Sequence, residues 1–161
     1  MVKNESFGTA SVKYPSKAIT LCLLLFGCAS VLDSETAEKQ WQERFDYCEE
    51  IANENRITIP NSLWFDSLSD DDKKTTIGYL ANYTDRMCMK DATAKLKKAL
   101  VAEDNQEKLN YYSVDLTPLD KLASDRVKHL DEKELTQLAE RMNQPFNLRY
   151  ALLDKGLYPE M

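Results

Sequence analysis

Few side chains in this chain are suited to chemistry, and their spacing removes most of the chemistry they could do. There are four cysteines, Cys22, Cys28, Cys48 and Cys88, and one histidine, His129. No two cysteines stand as Cys-x-x-Cys, so a dithiol redox centre lacks its motif. One histidine and scattered cysteines fall short of a zinc ligand set. The sequence contains no G-x-S-x-G, no H-E-x-x-H and no glycine-rich phosphate loop. Asp70-Asp71-Asp72 lacks the alternating ligands and central glycine of a calcium loop and reads as a helix cap. The expectation is therefore no catalytic residue, no metal and no cofactor. Carboxylates are abundant, so a carboxylate-dependent peptidoglycan lytic enzyme stands as a minor alternative. Trp64, Phe65, Tyr111 and Tyr112 are the aromatics least explained by a single helical face, which makes them candidate partner-binding residues. Trp64 and Phe65 also suit a core.

Residues 17–29 assign the compartment. Lys17 is followed by about ten apolar residues, then Gly27 and Cys28, which is the layout of a cleavable export signal. A membrane-spanning helix needs roughly 20 apolar residues, so removal fits better than retention. Leu25-Phe26-Gly27-Cys28 resembles the lipobox of bacterial lipoproteins. That resemblance implies a signal peptide over 1–27, acylation of Cys28 by a palmitate-type lipid, and Cys28 as the mature N-terminus. Ala29 stands where enteric lipoproteins kept in the inner membrane carry Asp. The implied location is the periplasmic face of the outer membrane of a Gram-negative bacterium.

The remaining chemistry follows from that address. Cys22 leaves with the signal and Cys28 takes the lipid, so Cys48 and Cys88 remain in an oxidising compartment and are expected to form a disulfide. Closing a loop of about 41 residues contributes on the order of 3–4 kcal/mol in the chain-entropy model. The whole chain has 21 basic and 27 acidic residues, net −6; losing three lysines and one glutamate with the signal leaves −8. A surface of that sign repels nucleic acid and anionic headgroups.

Everything after residue 33 must position these groups, and it reads as helix. Only four glycines occur in the chain, and strong helix formers dominate. Residues 28–33 are a tether, and 34–161 a single helical domain. Trp41, Phe45, Cys48 and Ala52 recur at helical steps and predict one inward face over 34–54. Leu63, Trp64, Phe65 and Leu68 form an apolar plug. Ser69 caps a helix to about Met87, with Thr76, Leu80, Tyr83 and Met87 inward. Asp91 caps another over Ala92–Glu103, with Leu96, Ala99 and Leu100 inward. Residues 104–112 are weakly helical. Thr117-Pro118 opens a helix to about His129, buried through Leu119, Leu122, Ala123 and Val127. Asp131 opens one buried through Leu135, Leu138, Ala139 and Met142. A last helix from Pro145 presents Phe146, Tyr150 and Leu153 and stops at Gly156. The fold class is all-α, an irregular bundle of five to seven short helices with one disulfide.

Two binding roles fit this layout. In size, helicity, anchor and single disulfide it is similar to the helical pilotins that escort secretins, which implies an assembly or trafficking lipoprotein bound to another envelope protein. The alternative is a periplasmic immunity, inhibitor or exclusion lipoprotein, whose acidic surface suits a basic partner.

Overall fold

The structure, a computed structural model, describes residues 32–158. Cys28 and the lipobox-like residues lie outside them. The described residues are all-α with no strand: α1 Ser34–Glu54, α2 Leu63–Ser67, α3 Asp70–Ala102, α4 Gln106–Tyr111, α5 Ser113–Leu116, α6 Leu119–Val127, α7 Glu132–Glu140 and α8 Leu148–Asp154. None is long and apolar enough to cross a membrane.

The helix starts are written locally. Asp33 accepts from the Thr36 backbone N–H at 2.8 Å, Ser69 from Asp72, Asp131 from Glu134 at 3.0 Å and Asn147 from Tyr150 at 2.9 Å. Each satisfies a donor that the first turn leaves unpaired. The stop at Gly156 is also local: its φ of 67° lets Leu157 donate to the Leu152 carbonyl and Gly156 to that of Leu153, the paired geometry of a left-handed C-terminal cap.

The main departure from the sequence reading is α3, which runs unbroken for 33 residues through the break expected near Cys88–Asp91. Asp91 is exposed and caps nothing. An interior aspartate costs only a few tenths of a kcal/mol of helix propensity, whereas continuity keeps Met89, Leu96 and Leu100 on one buried face, where each large side chain contributes roughly 1.5–3 kcal/mol. Residues 104–116 form two short helices, so the described residues hold eight helices where five to seven short ones were expected.

This long helix carries two separate cores. Its first half buries Ile77, Leu80 and Ala81 against Ile59, Phe65, Leu138, Ala139, Met142, Phe146 and Ala151. Its second half buries Met89, Leu96, Ala99 and Leu100 against Ala37, Trp41, Cys48 and Tyr112. Leu32, assigned to the tether, already packs on this second core. Four expected inward positions are corrected: Leu63 is 93% exposed, and Phe45, Met87 and Leu122 also face solvent. A five-residue α2 buries one side only, and Phe65 takes it. Helix α6 buries no residue fully; among the described residues its main packing neighbour is α3.

Candidate partner-binding groove

The second half of α3 is the floor of the site, and α1 is its first wall. The two helices run antiparallel, as three contacts show. Ser34 donates its N–H to Glu103 at 2.7 Å, the Trp41 indole N–H donates to Thr93 at 3.1 Å, and Arg44 donates to the Cys88 carbonyl at 2.9 Å. Midway along this pair, Cys48 and Cys88 form the disulfide, with Cα atoms 6.1 Å apart. That lies within the usual range for the bond. Trp41 anchors the wall: it stacks on Phe45, with centroids 5.5 Å apart, and meets Tyr112 edge-on at 5.1 Å.

The second wall is backbone. Residues 113–118 cross beside α3 as the single turn α5 and its exit, and a single-turn helix leaves its last carbonyls unpaired. Arg86, on α3, donates to three carbonyls of this stretch: Val114 at 3.0 Å, which also accepts from the Thr117 N–H, Asp115 at 3.3 Å and Thr117 at 2.7 Å. Between the walls lies an open, mainly apolar groove of about 850 Å³. Phe45 is 40% exposed along it, Met87 50% and Val114 61%. Across the disulfide is a more polar depression of about 790 Å³, edged by Glu43, Arg44, Lys90, Asp91 and Lys95.

Charges divide along the groove. Glu49 and Asp85 line it, as do Lys90 and Lys97 further along α3, and none of the four enters an ion pair among the described residues. Asp85 is open to solvent at its surface, yet burial by the surrounding walls pushes its carboxyl above the usual range. Behind the first wall, Glu38 accepts from Tyr112 at 2.7 Å and pairs with Lys108. The Lys108 and Tyr112 hydrogen bonds hold the Glu38 carboxyl below its ordinary value, and the same carboxylate raises Lys108. Burial first, and Glu38 second, push the Tyr112 phenol up.

The four aromatics singled out from sequence do not form one surface. Phe65 is buried in the first core, with the Lys155 ammonium 5.9 Å from its ring centre, and Trp64 packs half-buried beside it. Tyr112 is buried in the second core, and Tyr111 lies edge-on to it at 4.8 Å, 78% exposed. Sequence reasoning missed Phe45, Met87 and Val114 as surface residues, since helical periodicity assigned the first two to a core. Arg86 carried no local signal at all, because its partners lie 28 to 31 residues away. No group of three or more His, Cys, Asp or Glu side chains able to hold a metal occurs among the described residues. His129 instead bonds Asp72 at 2.8 Å, steadying the start of α3. No family model matches the chain, nor does any curated protein or solved structure.

Proposed function

We propose that the mature chain is a lipoprotein, anchored through Cys28 to the periplasmic face of the outer membrane, that binds another envelope protein in an assembly or trafficking role. The observation that carries the binding reading is the open apolar groove along the disulfide-linked α1–α3 pair, where Phe45, Met87 and Val114 remain exposed. Exposed apolar side chains gathered in a concave site favour a partner over solvent. The lipobox-like Leu25–Cys28 supports the anchor, and a disulfide suits an oxidising compartment. Binding, and not catalysis, is the role proposed for the groove. The acidic balance of the chain favours one second reading, an immunity or exclusion protein whose partner is basic.

The test compares affinity capture from solubilised envelopes by the wild type and by Phe45→Asp and Met87→Asp variants. An outer-membrane assembly component captured by the wild type and lost from both variants supports the first reading. A single basic effector with the same dependence supports the second. Capture that is identical for all three proteins removes the groove from the account. Separately, Cys28→Ser should abolish lipid labelling, and unchanged outer-membrane fractionation of that variant would sink the anchor.

A further inference from the structure

The two walls of the groove are held to its floor by different means. Helix α1 is fixed by a disulfide and by Trp41, with Cys48 and Trp41 buried in the second core and Cys88 packed half-buried against it. The 113–118 wall has almost no core of its own: Ser113, Val114 and Asp115 are exposed, and Leu116 alone packs partly against the second core. What joins it to α3 is Arg86, through carbonyls at three positions of the wall. A planar guanidinium presents five donors in a fixed fork, so one side chain can satisfy several carbonyls at once. A cation at the carbonyl end of a helical turn is also favoured by the turn's dipole.

We propose that Arg86 is the positioning residue of the groove: it latches the 113–118 backbone against α3 and so sets the width open to a ligand. This rests on the reading of the groove as the partner's site. The wall is a local unit whose opening is governed by the latch, while α1 and α3 stay closed on each other through the disulfide. Regions with few buried contacts open at low free energy, and their backbone hydrogen bonds report that opening directly. Two such bonds lie in the wall, Leu116 N–H to the Tyr112 carbonyl at 2.9 Å and Thr117 N–H to that of Val114 at 3.2 Å.

The experiment is amide hydrogen exchange on wild type and Arg86→Met, with Arg86→Lys as a second variant that keeps the charge and loses the fork. Binding of anilinonaphthalene sulfonate, an apolar anionic dye, serves as the groove probe. In Arg86→Met, exchange at Leu116 and Thr117 should rise roughly tenfold or more. Exchange in α1 and α3 and the melting temperature should stay near wild type, and dye affinity should change at least about threefold. Arg86→Lys should show the same local pattern in weaker form. Unchanged exchange at Leu116 and Thr117 overturns the latch. A uniform rise across all helices assigns Arg86 to general stability and overturns it too. Faster local exchange with unchanged dye affinity overturns the control of groove width. Failure of the wild type to capture any partner would remove the partner reading and leave the latch supported by its own exchange pattern.

Discussion

Replacing Cys48 and Cys88 together with serine removes the covalent tie between α1 and α3 and leaves their other contacts in place. The bridged residues are 40 apart in sequence. For a closed loop of that size, the chain-entropy relation gives about 4 kcal/mol of stabilisation, exerted by restricting the unfolded chain. In a domain of this length a loss of that order lowers the melting temperature by about 10–15 °C. The native pairing should survive below the transition. Trp41 still bonds Thr93, Arg44 still bonds the Cys88 carbonyl and Glu38 still bridges to Lys108 and Tyr112. Thermal unfolding followed by far-ultraviolet circular dichroism measures the shift, and tryptophan fluorescence at low temperature reports whether Trp41 keeps its surroundings. A drop smaller than about 4 °C, equivalent to roughly 1 kcal/mol, would refute the loop-closure reasoning. Loss of native helicity before any heating would refute the claim that the disulfide is a staple on a pair already formed.

Phe65→Ala should cost about 3–5 kcal/mol in chemical denaturation, because it empties a fully buried site in the first core. Leu63→Ala, two residues earlier and exposed, should stay within about 0.5 kcal/mol; equal costs would show α2 to be rotated from its described face. Gly78→Ala should stabilise by about 0.5–1 kcal/mol, since an added Cβ meets nothing within 4 Å and α3 needs no glycine there. A destabilised variant would contradict that open space. Thr76→Val should be neutral or stabilising by up to about 1 kcal/mol, because the buried Thr76 hydroxyl has no hydrogen-bond partner among the described residues. A loss of stability in the same assay would reveal a partner for it. Glu38→Gln should flatten the acid limb of the stability profile. The Lys108 and Tyr112 hydrogen bonds hold the Glu38 carboxyl below its ordinary value, so its contribution is complete above the ordinary carboxylate range and is lost as pH falls through the folded pKa. Melting temperatures from neutral pH to about 3 should therefore fall less steeply in the variant, and parallel profiles would contradict the pairing with Lys108 and Tyr112.

What the sequence determined by itself was local. The caps at Ser69 and Asp131 and the stop at Gly156 were legible because each involves groups within five residues, whose geometry depends on the nearby backbone alone. The apolar faces of α7 and the end of α3 followed from periodicity, since Leu135, Leu138, Ala139 and Met142, like Leu96, Ala99 and Leu100, are buried as their spacing required. The link between Cys48 and Cys88 was also open to reasoning from sequence, on the expectation that an export signal would take Cys22 and Cys28 out of the pairing. The tertiary structure decided what periodicity leaves open, namely how much of each apolar face finds a neighbour. Phe45 and Met87 have the spacing of core residues and stay exposed, because the wall opposite them is a short stretch of backbone and not a third packed helix. The continuity of α3 was likewise decided by burial on both sides of Asp91, which outweighs the preference of one aspartate for a cap. The groove itself depends on Arg86 reaching carbonyls about thirty positions away. No local pattern encodes such a contact, since side-chain reach acts through space and leaves no period in the chain.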